Sequence, residues 1–115
     1  MRRVLIVEDE TLIAGMLADW LAELGYEVVG PVRSVRDALE VIERSRVDAA
    51  IVDVRLTDGD SQPVAELLRS KSVPFVLASG RAAGDLGAHF KDAPRLSKPF
   101  DFDQLHMALE KLLSK

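Results

Sequence analysis

The sequence predicts an α/β fold: a doubly wound, five-stranded parallel sheet with helices on both faces. Two observations carry that reading. Short, unbroken apolar runs, the form of strands buried on both faces, alternate with segments whose apolar residues recur at helical spacing. The alternation repeats five times in 115 residues, which suits an open sheet with right-handed crossovers and is too few units for a closed eight-stranded barrel. That length also predicts one domain, 1–115, with one core.

Val4-Leu5-Ile6-Val7 is the first strand. Ile13, Met16-Leu17, Trp20-Leu21 and Leu24 then mark a helix, and Gly25 stands where a helix C′ residue belongs. Tyr26 to Val29 reads as a second strand closed by Gly30-Pro31. Ser34 and Asp37 have capping-box spacing ahead of a helix with Val35, Ala38-Leu39 and Ile42 on its apolar stripe. Val47 to Val52 is the third strand, and Thr57-Asp58-Gly59-Asp60 is turn chemistry. Pro63 suits the first turn of a third helix, which Val64, Leu67 and Leu68 continue. Val73 to Ala78 is the fourth strand, with Pro74 tolerable at its start. Residues 94–97 form a short fifth strand before a helix that opens with the capping box of Asp101 and Gln104. The weak unit lies between Ser79 and Pro94: Gly80, Gly84 and Gly87 each disfavour the helix due there by about 1 kcal/mol. A weak or mobile fourth helix is therefore expected.

Composition narrows the function. A formal net charge of −4 is a poor footprint for a nucleic-acid backbone, so no nucleic-acid partner is expected. Cysteine is absent, which excludes disulfides, thiolate metal sites and thiol nucleophiles. Met1-Arg2-Arg3 resembles a signal-peptide start, but the apolar run behind it stops at Glu8, too short for an h-region or a span. A cytoplasmic protein without membrane insertion is the expectation.

In open α/β sheets, ligands bind beyond the carboxyl ends of the strands. The residues there are Glu8-Asp9-Glu10 after the first strand, Asp53 after the third, Ser79-Gly80 after the fourth and Lys98-Pro99 after the fifth. Taken singly, each has a bland explanation as a loop acid, a turn serine or a surface lysine. Their joint placement on one sheet edge favours a site. Crowded carboxylates repel unless a cation lies among them, and Mg²⁺ is the hard cation that needs only a few. A nearby lysine and hydroxyl suit a phosphoryl group, which makes Asp53 the natural nucleophile for an aspartyl-phosphate.

These residues resemble a known family, the receiver domain of two-component response regulators, over the whole chain. The carrying motifs are Glu8-Asp9, Asp53, Ser79 with its small neighbour, and Lys98-Pro99-Phe100. The resemblance implies a flavodoxin-like (βα)5 fold of strand order 2-1-3-4-5. It further implies Mg²⁺ held by Asp9, Asp53, the backbone carbonyl of Arg55 and, through water, Glu8. Asp53 would accept phosphoryl from a sensor histidine kinase or histidine phosphotransfer protein, with Ser79 and Lys98 contacting it. Residues 74–81 are also similar to a subgroup of bacterial single-domain receivers with Pro-Phe-x-Phe-Ala-Thr-Gly-Tyr there, from which Leu77, Ser79 and Arg81 depart. Arg95 stands where receivers usually place an aromatic, and Phe90 is the other aromatic nearby. Arg55 and Arg81, each two residues beyond a site residue, are hypothesised to shield the phosphoryl from water.

The rivals fare worse. A phosphatase of the haloacid dehalogenase type needs an aspartate at the position of Arg55, so no enzyme is expected. A flavin or nucleotide site needs a phosphate loop where Glu8-Asp9-Glu10 stands. Asp58-Gly59-Asp60 lacks the other ligands of a calcium loop. The chain ends within its last helix, so the expectation is a stand-alone receiver that signals through an unidentified downstream protein. The alternatives are a phosphate sink or shuttle, and a receiver-fold binding module that works without phosphorylation.

Overall fold

Apolar runs that alternate their side chains between two faces build the sheet. In the computed structural model, which describes residues 1–80 and 93–114, those runs are β1 (Arg3–Val7), β2 (Glu27–Val32), β3 (Ala49–Asp53), β6 (Phe75–Ser79) and β7 (Arg95–Ser97). They pair in parallel in the order β2-β1-β3-β6-β7, which is 2-1-3-4-5 counted over the strands of this sheet alone. Two short strands, β4 (Arg55–Leu56) and β5 (Gly59–Asp60), make a separate antiparallel hairpin.

Successive strand residues face opposite ways, so the continuous runs feed two cores. On one face Leu5, Val7, Ala50, Val52 and Leu77 pack with α2 (Val35–Arg44) and α3 (Gln62–Ser70). On the other, Val4, Ile6, Ile51, Val76 and Leu96 pack with α1 (Thr11–Glu23) and α4 (Phe102–Leu113). Each helix buries a stripe at helical spacing: Ala14, Leu17 and Leu21 in α1, Ala38 and Ile42 in α2, Leu105 and Leu109 in α4. Gly25 ends α1 with a φ of +90°, and Asp101 and Gln104 form a complete capping box on α4. No described helix is long and apolar enough to cross a membrane.

One expectation needs correction and two are extended. Strand β2 does not close at Gly30-Pro31 but continues to Val32. As an edge strand it tolerates a residue without an amide, and its register against β1 shifts between Leu5 and Val7. Gly30 makes the shift possible. Its φ is +86°, and a Cβ there would lie 2.8 Å from the Val32 nitrogen and 3.1 Å from the Ile6 carbonyl. The turn at 57–60 proves to be the β4–β5 hairpin, with Thr57-Asp58 as its loop and buried Leu56 fastening it to the core. At the Ser34 cap, the Ser34 hydroxyl accepts from the Asp37 amide at 3.0 Å as the spacing predicts, and the Val35 and Arg36 amides go to Asp58. The expected fourth helix, with Arg81 and Phe90, falls outside the described residues.

Strand order reverses between β1 and β3, and such a switch point opens a crevice beyond the carboxyl ends of the two strands. Glu8, Asp9 and Asp53 stand there.

Candidate functional site

Glu8 reaches the crevice because β1 ends one residue before it, and its own amide donates to the Val32 carbonyl at 2.9 Å. The β2 register shift thus positions the backbone of Glu8. Asp53 is the last residue of β3 and Ser79 the last of β6. Lys98 follows β7, and its amide donates to the Ser79 carbonyl at 2.9 Å, locking the two strand ends together.

The side chains converge. Lys98 Nζ lies 3.0 Å from Glu8 Oε1 and 3.4 Å from Asp53 Oδ2. The other Glu8 oxygen, Oε2, accepts from the Glu10 amide at 3.1 Å. Glu8 is 1% exposed, against 13% and 18% for the side chains of Asp53 and Lys98. The Glu8 carboxyl and the more open ammonium and carboxylate therefore form a layered ion cluster. An open cleft of about 320 Å³ borders it, lined among others by Asp9, Glu10, Asp53, Arg55, Ser79 and Lys98.

Burial dominates the electrostatics of Glu8. Desolvation pushes its carboxyl above the usual 4.5 and Asp53 adds to that, against the opposing pull of the Glu10 amide and Lys98. For Lys98, burial alone favours the neutral amine. The hydrogen bond to Glu8 and the charges of Asp53 and Glu8 outweigh it and hold the ammonium above its usual 10.5. The site is a net acidic cluster with one firmly charged cation.

Carboxylate oxygens of Glu8, Asp9 and Asp53 lie within 4.8 Å of one another. Both Glu8 oxygens already accept hydrogen bonds, so this deep residue suits a contact through water, while Asp9 and Asp53 line the cleft. An all-oxygen set of that charge fits a hard divalent cation that keeps several waters. The structure therefore brings together Glu8, Asp9, Asp53, Arg55, Ser79 and Lys98. Arg95 lies apart as the exposed first residue of β7.

Arg33 went unnoticed in the sequence, and Asp58 was read there only as turn chemistry. Arg33 Nη2 donates to the backbone carbonyl of Asp9 at 3.2 Å. The Asp58 carboxylate accepts from the Val35 amide at 2.7 Å and the Arg36 amide at 3.2 Å. A basic residue near a sheet's carboxyl edge and an aspartate in a turn carry no periodic signal.

A family model described as response regulator receiver domain matches residues 4–110. The transcriptional regulatory protein PdtaR of Mycobacterium tuberculosis is 36% identical over 99% of this chain, which spans only 58% of that protein's length. The solution structure of SdrG from Sphingomonas melonis Fr1 is 46% identical, with a TM-score of 0.86, covering 98% of this chain and 97% of that one. The response regulator TrrA of Thermotoga maritima, solved in complex with Mg²⁺-BeF, is 28% identical with a TM-score of 0.87, covering 98% of this chain and 100% of that one. A structure of the histidine kinase ThkA in complex with TrrA also matches, at 28% identity and a TM-score of 0.85 over 99% of this chain and 100% of that one.

Proposed function

Since the chain belongs to the response regulator receiver domain family, we propose that it accepts a phosphoryl group on Asp53 from a histidine kinase or histidine phosphotransfer protein. The reaction is Mg²⁺-dependent, and the output passes to another protein by binding. One observation carries this reading: a single ammonium, Lys98 Nζ, lies within 3.0 Å of Glu8 and 3.4 Å of Asp53 at the mouth of a carboxylate cleft.

In the transfer, an Asp53 oxygen forms the new O–P bond as the N–P bond to the donor imidazole breaks, and the nitrogen keeps that bonding pair. Lys98 neutralises oxygens of the incoming group, and the Ser79 hydroxyl donates to another. Glu8 aims Lys98. Asp9, Asp53 and the Arg55 backbone carbonyl would hold the metal, with Glu8 contributing through water. When bound, Mg²⁺ draws charge from the phosphoryl oxygens. TrrA's complexes with Mg²⁺-BeF and with ThkA support both the metal and the class of donor.

The protein is a signalling acceptor rather than an enzyme, since Arg55 occupies the place of a phosphatase's general acid. Residues 1–115 act as one receiver unit in the cytoplasm, where such donors present their phosphohistidine.

The test is incubation with Mg²⁺ and a small phosphodonor, then intact mass, with Asp53→Asn alongside. One phosphoryl on the native protein alone is the expected result. No adduct from either the small donor or a phosphorylated histidine phosphotransfer protein, with Mg²⁺ binding confirmed separately, would favour a binding module that works without phosphorylation or strict dependence on a cognate kinase.

A further inference from the structure

We propose that Asp58, acting with Arg33 and Thr57, is a positioning residue for the metal site, and that through it the first turn of α2 senses whether that site is loaded. The proposal rests on the Mg²⁺-binding reading above and goes beyond it to residues that touch neither metal nor phosphoryl.

Asp53 ends β3, and two segments beyond the strand ends supply the other ligands. One carries Asp9; the other is the β4–β5 hairpin, which opens with Arg55. The β1–β3 pairing sets the distance at which they start, and further contacts tie them together beyond it. The β2–α2 loop makes three such contacts. The Arg33 guanidinium donates to the Asp9 carbonyl at 3.2 Å. The Thr57 hydroxyl donates to the Arg33 carbonyl at 3.2 Å. The Asp58 carboxylate takes the Val35 and Arg36 amides at 2.7 and 3.2 Å. Asp9 and the hairpin are thus both fastened to residues 33–36.

The hairpin needs that fastening. It has only two residue pairs, Arg55 with Asp60 and Leu56 with Gly59, and so short a ribbon has little stability of its own. Buried Val54 and Leu56 hold its base in the core. Its tip, Thr57-Asp58, is exposed and held by hydrogen bonds alone.

Asp58 is well suited to the task. The first amides of a helix have no partner within it, and the partial positive charge there favours a carboxylate. Ser34 takes the Asp37 amide from within α2's own loop, while the two amides before it go to Asp58, more than 20 positions away. The helix cap doubles as a strut for the metal loop. Coupling of this kind is reciprocal: a metal that fixes the Arg55 carbonyl must also tighten the contact at Val35 and Arg36.

Calorimetric titration with Mg²⁺ alone tests this on the native protein, Asp58→Ala, Asp58→Asn, Arg33→Ala and Asp53→Asn, with thermal unfolding in chelator fixing the folded fraction of each. Residues that orient metal ligands typically change affinity ~10–100-fold. The folded fraction of Asp58→Ala should bind Mg²⁺ roughly tenfold more weakly, near the low end of that range. Asp58→Asn keeps one acceptor oxygen and should recover part of the loss. Arg33→Ala leaves the α2 cap intact, so it remains informative where Asp58→Ala folds poorly, and it too should bind more weakly. Mg²⁺ should slow hydrogen exchange at the Val35 and Arg36 amides of the native protein and not of Asp58→Ala. Unchanged affinity in the folded fractions of both Asp58→Ala and Arg33→Ala would overturn the proposal, leaving these contacts a merely structural role. Native protein that binds Mg²⁺ no better than Asp53→Asn would instead remove the metal-site reading beneath it.

Discussion

Glu8 is a buried carboxyl whose placement opposes folding and serves the site. Its carboxyl is 1% exposed, and desolvation raises its folded-state pKa above 4.5. The folded protein therefore holds a proton on Glu8 over an interval where the unfolded chain has lost it. This contribution to stability is complete below 4.5 and disappears as pH rises through the folded value. In metal-free protein, Glu8→Gln should reduce the stabilisation gained on acidification toward 4.5. Urea unfolding in chelator at pH 5 and pH 7 measures the difference. The position of Glu8, Asp9, Asp53, Ser79 and Lys98 was legible in the sequence because a parallel sheet turns "the residue after a strand" into "the residue at one edge". Arg33 and Asp58 were not. They act on backbone groups of other segments, and a hydrogen bond to a distant backbone group imposes no residue pattern around the side chain that makes it.

Among the elements, β2 shows where reading from sequence stops. Its apolar start is plain, but Gly30-Pro31 has the chemistry of a terminator. Tertiary context overrides it: an edge strand needs hydrogen bonds on one side only, and the shifted register returns Val32 to face Val7. The β4–β5 hairpin was hidden for a related reason, since only Leu56 in it is buried and its pairing is a matter of backbone geometry. The four described helices were legible because their stripes are local, as is the Asp101–Gln104 box. The β2 shift also leads to a prediction. Gly30→Ala puts a methyl 2.8 Å from a backbone nitrogen at a φ of +86°, and should cost about 1–3 kcal/mol in thermal unfolding. Because the Glu8 amide bonds to Val32, the same substitution should shift the amide resonances of Glu8 and Glu10.

For the molecule as a whole, the site opposes the fold. Three carboxylates within 4.8 Å repel one another, and one ammonium offsets only part of their charge. A ligand that binds the folded form alone stabilises it by about 2.7 kcal/mol at a concentration 100 times its Kd. Saturating Mg²⁺ should therefore raise the Tm of the native protein by several degrees, and that rise should largely vanish in Asp53→Asn. Calorimetry in Mg²⁺ and in chelator is the check, with Ca²⁺-free buffers so that one cation is compared. The Lys98–Glu8 bond joins residues 90 positions apart, and this has a consequence for biosynthesis. A polypeptide still being made, or cut short before β7, holds every carboxylate of the site and lacks its cation. Such a fragment has an acidic patch without the means to receive an anionic group. On the proposed acceptor function, competence would arrive only with the residue that follows the final strand, and a chain truncated before Lys98 should take up no phosphoryl from a small donor.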